Sequence, residues 1–320
     1  MGQPPVGYRT VVTVTHIPHL HPYVAAVDPS ATGSADPWVV DDLIGGTVHV
    51  HFGFEHLAPS ELGEWIDELQ RRGRRLVHTV HDIDNPHLVD QAAHWGRTEL
   101  LVRRSDCVVT LTESAADEIE RRWGRRPVVI PHPPLTHRRM PTVETTEPLR
   151  GLVWLGTLRP NIDRDLVSMI ADRSDGDFDV VARSDSWVRA DASLRRSLAE
   201  ADLRGRIDLR VVDRPSDHGL EALIAAAGVV VLPYAWGTHS GIVELATDLG
   251  VVTVTTRTGC RGDQGAMTVD APDVLAAARA VMHDGRRAHR TPASSTEVVR
   301  SEHAHIYRSL ARGPLIGAER

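Results

Sequence analysis

The run VLPYAWGTHSGIVELATDLGVVTV, Val231–Val254, decides the fold. With Val229 and Val230 it opens as a short, β-branched apolar segment that stops at Leu232 before Pro233, the pattern of a buried strand. Gly237 and Gly241 bracket a polar turn, Gly241–Leu249 reads as a helix, and Val251–Thr255 reads as a second buried strand. Strand, crossover helix and strand in this order are the unit of a parallel sheet covered on both faces.

Working outward, the alternation continues. Strands are expected at Gly151–Leu155, Phe178–Ala182 and Ile207–Val212, with helices at Ile162–Ala171, Leu194–Leu203, Gly219–Ala227, Ala271–His283 and Ser295–Ala311. Upstream the pattern breaks: Pro131–Arg150 holds five prolines and no periodicity, which marks a connection. Before it, strands are expected at Val11–Thr15, Thr47–Phe52, Arg75–Val80, Cys107–Leu111 and Pro127–Ile130, and helices at Pro59–Gln70, Leu88–Val102 and Thr112–Trp123. In Pro59–Gln70, Leu62, Trp65, Ile66 and Leu69 keep the helical period. Thr112 or Ser114 can cap the third helix, and Glu113 suits its positive end. The expected architecture is α/β, with two Rossmann-like domains facing across a cleft. Their bounds are 1–133 and 151–294, with a linker over 134–150 and a C-terminal helix over 295–320 that packs back on the first domain.

Composition narrows the function. The 320 residues are 41% hydrophobic and 25% charged, with a formal net charge of −7, an ordinary globular balance. A chain this acidic lacks the basic face of a nucleic-acid binder, so no nucleic-acid partner is expected. The longest apolar run, Ala222–Ala235, is broken by Gly228 and Pro233 and falls short of the roughly 20 residues a membrane helix needs. Met1–Thr10 has no basic patch followed by an apolar stretch, so no signal peptide is expected, and the cytoplasm is the expected compartment. Cys107 and Cys260 are too few for a disulfide framework or a cysteine-based zinc site. The chain contains no lysine, which removes a Walker A loop, a pyridoxal-phosphate Schiff base and a kinase-type strand lysine. Any bound phosphate must be held by arginine, helix N-termini and backbone N–H groups.

Open α/β sheets bind ligands beyond the carboxyl ends of their strands. There the chain has His81-Asp82-Ile83-Asp84-Asn85-Pro86-His87, Gly156-Thr157-Leu158-Arg159, Arg183-Ser184-Asp185, Thr256-Arg257-Thr258-Gly259 and the Gly237–Gly241 turn. In that turn glycine lets a ligand approach the backbone, Ser240 can cap the next helix, and the free N–H groups attract an anion. Glu244, one helical turn on, could hold sugar hydroxyls; a plain capped loop with a dipole-favoured glutamate explains the same residues.

The order of these segments resembles the retaining, nucleotide-sugar-dependent GT-B glycosyltransferases grouped with family 4, in their short bacterial form. The likeness runs through HVHFGFE (His49–Glu55), LVHTVHDIDNPH (Leu76–His87), VVTLTESAADEIERRWGRRPVVIPHP (Val108–Pro133), VWLGTLRPN (Val153–Asn161) and the opening run. It implies an acceptor-side first domain, a donor-side second domain and transfer of a sugar from a nucleoside diphosphate to a hydroxyl, with retention and without a metal. No cofactor is implied beyond the nucleotide sugar; the acceptor is a small molecule, glycan or lipid. By resemblance, Glu244 holds the nucleotide ribose, and Ser240, Gly241 and Ile242 meet the donor phosphates, with His239 beside them. His81 lies near the donor sugar, with Asp82 as its neighbour. Gly156 and Arg159 lie in the phosphate loop, and Arg183 can reach it.

Two departures stand out. The first glutamate of the family's E-x7-E motif falls on Trp236, and the usual basic pair of the first phosphate loop falls on Thr157 and on Asn161 or Ile162. These losses keep a second reading open, a non-catalytic GT-B-like partner protein. A third is a metal-dependent amidohydrolase, suggested by His49-x-His51, whose side chains share a strand face, near His16, His19 and His21. That fold commonly uses a bridging modified lysine and wants no mid-chain break, so no metal is expected. An NAD dehydrogenase is disfavoured because HIPHLHP follows the first strand with no glycine-rich turn. His21 and Tyr23 are candidate acceptor contacts. The runs Arg71–Arg75 and Arg121–Arg126 suit helix C-termini better than a membrane dock, and Trp38, Trp65 and Trp95 are expected in the core.

Overall fold

The structure is a computed structural model that describes residues 12–34, 36–136 and 149–312. The expected signal-free N-terminus, most of the expected linker and the end of the last helix segment therefore lie outside the described residues.

The first part of the chain runs β1 (Val14–Ile17), α1 (Pro22–Val27), β2 (Thr47–Val50), α2 (Pro59–Arg71), β3 (Arg75–Val80), α3 (Ala92–Arg104), β4 (Cys107–Thr110), α4 (Glu113–Trp123) and β5 (Val128–Val129). Its strands pair in parallel in the sequential order β1-β2-β3-β4-β5. The register sets His16 of β1 opposite His49 of β2. The second part runs β6 (Gly151–Gly156), α5 (Arg164–Arg173), β7 (Phe178–Arg183), α6 (Ser184–Trp187), α7 (Ala192–Leu203), β8 (Ile207–Val212), α8 (Asp217–Ala225), β9 (Val229–Leu232), α9 (Gly241–Asp248), β10 (Thr253–Thr256), β11 (Met267–Val269), α10 (Val274–Asp284) and α11 (Thr296–Arg312). This sheet is also parallel, in the order β11-β10-β9-β6-β7-β8. The chain moves outward from β6 to β8, returns to lay β9 beside β6, then moves outward the other way. The reversal between β6 and β9 is a topological switch point.

Amphipathic helices cover the sheets. In α2 the four periodic residues Leu62, Trp65, Ile66 and Leu69 are buried over β2 and β3, each worth roughly 1.5–3 kcal/mol of burial. Val153, Leu155, Phe178, Val180, Val229 and Val231 form the core of the second sheet with α5, α7 and α10. Helix α11 returns to the first sheet, where Val299, Ile306 and Tyr307 share a core with Val14, Tyr23 and Val24. No helix among the described residues is long and apolar enough to cross a membrane.

Several boundaries differ from the sequence expectation for local reasons. β1 begins at Val14 and runs through His16, so that histidine belongs to the strand rather than to the turn after it; Val11 lies outside the described residues. α3 starts at Ala92 rather than Leu88, because Gln91 folds back to accept from the Asn85 N–H (2.8 Å) and donate to the Asn85 carbonyl (2.9 Å). That shift takes Trp95 out of the core. It is 40% exposed and donates its indole N–H to Asp84 Oδ1 (2.9 Å), whereas Trp38 and Trp65 pack ring to ring at 5.0 Å. α1, α6 and β11 carry no strong periodicity and are found only in the structure. The arginine runs are occupied locally: Arg72 pairs with Glu68 and Asp41, Arg122 with Glu118 and Asp84, and Arg126 with Glu113, Asp117 and Glu120.

Candidate active site

The loops at the switch point form one wall of the site. β6 ends at Gly156, whose φ of +52° suits glycine. Leu158 follows at φ +47°, a left-handed conformation that costs a leucine about 1 kcal/mol or more. This turn carries Arg159, which is exposed. The turn is fixed to the one after β9: Asp163 N–H donates to the Pro233 carbonyl (2.8 Å), Ala235 N–H to the Asn161 carbonyl (2.8 Å), and Asn161 Nδ2 to the Trp236 carbonyl (2.9 Å). Arg183, at the end of β7, pairs with Asp185, and Ser186 beside it donates to the Gly156 carbonyl (3.3 Å).

The turn over residues 233–241 also joins the two sheets. Thr238 Oγ1 accepts from the N–H groups of Ile83 (2.6 Å) and Asp84 (3.1 Å), and Trp236 Nε1 donates to the Asn85 carbonyl (3.2 Å). His239 Nδ1 donates to the His81 carbonyl (2.7 Å), which leaves Nε2 to accept from the Thr112 hydroxyl (2.9 Å). Both ring nitrogens of His239 are thus used between the sheets. Ser240 stands at the N-cap position of α9, but its hydroxyl makes no capping bond; its N–H donates to Gln264 Oε1 (2.9 Å). The N–H groups of Gly241 and Ile242 have no partner among the described residues. Glu244, one turn into α9, is 5% exposed: Oε2 pairs with Arg290 at 2.8 Å and Oε1 accepts from Gln264 Nε2 at 2.7 Å. Burial raises its carboxyl, against the pull of Arg290 and Gln264.

The sequence reading missed Arg261. It is fully buried, donates to the Gly237 carbonyl (3.1 Å) and the Thr258 hydroxyl (2.5 Å), and stands 5.4 Å over the Tyr234 ring. Its Nε has no partner, and it forms no ion pair among the described residues. A buried cation without a carboxylate is costly unless an anion meets it. Its signal in the sequence was only its position, in the loop after the strand that ends the opening run.

The opposite wall comes from the first sheet. Asp82 follows β3; burial pushes its carboxyl up to about 7, against the opposing pull of Arg159, with Glu55 and Asp84 adding to the rise. His81 is partly exposed and leads inward to a histidine cluster. His81 Nε2 lies 3.4 Å from His51 Nδ1, His51 Nε2 lies 3.0 Å from His16 Nδ1, and His16 Nε2 lies 3.2 Å from Asp28 Oδ2. His49 is held by the Tyr307 hydroxyl (2.8 Å) and Thr79 (2.7 Å). Tyr23 is buried edge-on to His81 at 4.7 Å, so it supports that ring and does not line the crevice. His21 caps α1 by accepting from the Tyr23 N–H (3.2 Å) and packs against Phe52. Nitrogens of His16, His49 and His51 lie within 4.8 Å of one another, which suits a zinc-type ion by ligand chemistry. Both nitrogens of each ring are already hydrogen bonded, however, so an ion must displace those bonds. A shallow depression lined by Trp38, Glu61, Trp65 and Arg72 lies along α2, apart from these strand ends.

No protein family and no curated protein matches the sequence. Solved structures match by shape. HepE of Anabaena, solved with UDP and glucose, is 12% identical with a TM-score of 0.59, over 83% of this chain and 78% of that one. Sucrose-phosphate synthase of Thermosynechococcus elongatus is 17% identical with a TM-score of 0.57, over 83% and 74%. The α,α-trehalose 6-phosphate synthase of Burkholderia multivorans is 13% identical with a TM-score of 0.55, over 83% and 72%. The chain has the GT-B fold, two parallel α/β sheets facing across a crevice.

Proposed function

We propose that this protein transfers a sugar from a nucleoside-diphosphate donor to a hydroxyl-bearing acceptor, with the donor on the six-stranded sheet and the acceptor on the five-stranded one. The observation that carries the reading is the switch point between β6 and β9. Around it lie exposed Arg159, buried and unpaired Arg261, and the open N–H groups of Gly241 and Ile242. Negative charge grows on the diphosphate as the glycosidic bond breaks, and prearranged cations and N–H dipoles favour that charge most. In a chain without lysine, arginine supplies the whole of the cationic part. The reaction runs with retention and without a metal, the leaving phosphate taking the acceptor's proton. Glu244 binds the ribose by exchanging its Gln264 contact for sugar hydroxyls. HepE is bound to UDP and glucose in its crystal, which supports the choice of donor class.

The test is calorimetric titration with UDP and GDP, followed by turnover of their hexose conjugates by the wild type, Glu244→Ala and His81→Ala. The expected result is binding of at least one diphosphate and turnover that falls in both variants; no binding across the panel rejects the proposal. A non-catalytic role has its own observation: Trp236 replaces a carboxylate and Glu244 is held by Arg290. Diphosphate binding with equal, negligible turnover in all three proteins selects that reading.

A further inference from the structure

The line of side chains from Asp28 to His81 has a direction. Asp28 is the C-cap residue of α1, and its Oδ1 accepts from the Ser30 N–H (2.9 Å) and hydroxyl (2.6 Å). Burial alone raises a carboxyl, but bonds from His16 and Ser30 outweigh it and hold Asp28 at about 2. Asp28 is therefore ionised and can only accept. His16 must donate to it through Nε2. If His16 carries a single N–H, the one given to Asp28, its Nδ1 is an acceptor and takes the Nε2–H of His51. By the same rule His51 Nδ1 takes the Nε2–H of His81. Both His16 and His51 are closed off, at 1% and 2% exposure, and a charge on His51, which has no carboxylate partner, would be costly there. Tyr23 holds the line laterally, edge-on to His51 at 5.4 Å and to His81 at 4.7 Å.

One atom is left over. His81 Nδ1 has no hydrogen bond among the described residues, and His81 is the partly exposed end of the line. We propose that Asp28, His16 and His51 are positioning residues that fix His81 in its Nε2–H tautomer and present the Nδ1 lone pair to a sugar hydroxyl in the crevice. The hydroxyl donates; no proton need leave it for the contact to orient the sugar. This assignment rests on the glycosyl-transfer reading for its substrate, but the tautomer pattern stands or falls without it. It also competes with the metal set: an ion bound by His16 and His51 takes the two nitrogens that the line uses between them.

Long-range proton–nitrogen correlation spectra of histidine-labelled protein read the tautomers, with His16→Gln, His51→Gln and His81→Gln spectra for assignment. The expected result is the Nε2–H form for all three rings in the wild type. A protonated Nδ1 on any of them, or one equivalent of zinc in the purified protein, overturns the proposal. Asp28→Asn, whose amide can donate to His16 and reverse the line, supplies the kinetic arm. It should lower kcat by about tenfold or more, through lost orientation of the sugar, with UDP binding unchanged. An unchanged kcat overturns the positioning role. Should UDP fail to bind the wild type, the transfer reading fails while the spectra still decide the line.

Discussion

Arg159 and Arg261 hold the same charge in opposite settings. Arg159 is exposed on the turn after β6; Arg261 is packed beneath the Gly237 turn and bonded to its carbonyl. A charged hydrogen bond contributes roughly 1.5–3 kcal/mol, so Arg159→Gln should weaken UDP binding by about tenfold or more in a calorimetric titration. Wild-type affinity in that variant removes Arg159 from the donor site. Arg159 was legible because it follows a strand end. Arg261 was not, because nothing in TGCRG tells a buried guanidinium from a solvated one. Glu244 was read as a sugar ligand from its helical offset, but its ion pair with Arg290 joins residues far apart in the chain and has no local signature. The histidines were visible as a cluster; their order along a hydrogen-bonded line needed the register of β1 on β2.

At the scale of elements, two glycines make opposite predictions. Gly259 has φ +67°, and a Cβ there would lie 1.9 Å from the Gly237 carbonyl oxygen. Gly259→Ala must push the 233–241 turn away, and it should cost at least about 1 kcal/mol from the left-handed backbone alone. Gly63 lies inside α2, where a Cβ meets only Leu100 at an ordinary 3.7 Å. Gly63→Ala should raise stability by about 0.5–1 kcal/mol. Urea unfolding of both variants checks the pair, and a destabilised Gly63→Ala contradicts the helix assignment. The long, periodic elements were readable because burial of one stripe fixes them. α2, α4, β8 and β9 match closely, with Thr112 as the α4 cap. Short pieces such as α1 and α6 depend on what packs over them; α1 is covered by α11, which lies at the other end of the chain.

For the molecule as a whole, the buried histidines set the acid response. Burial lowers His78, His132, His239 and His303 to about 4 each. The unfolded chain takes up protons first as pH falls through the ordinary 6.5, so stability is full above that point and is lost on the way down to 4. Each ring contributes at most about 1.4 kcal/mol per pH unit in this window. Asp82, raised to about 7, and Glu244, raised by burial, work the other way, but the lowered His49, His51 and His81 add to these four imidazoles. The urea midpoint should therefore fall steeply between pH 6.5 and 4.5; a level midpoint contradicts the burial of these rings. The sequential first sheet and the reversed second one were both readable as alternation, but the position of the reversal was not, because strand order is a long-range property. The turn after β9 has the widest reach. Thr238, His239 and Trp236 bolt it to the first sheet, while its far end leads into α9 with the Gly241 and Ile242 N–H groups unbonded among the described residues. The joint between the sheets and the residues proposed for the donor thus belong to one short stretch of chain, so a substitution in that stretch should register in both stability and ligand binding.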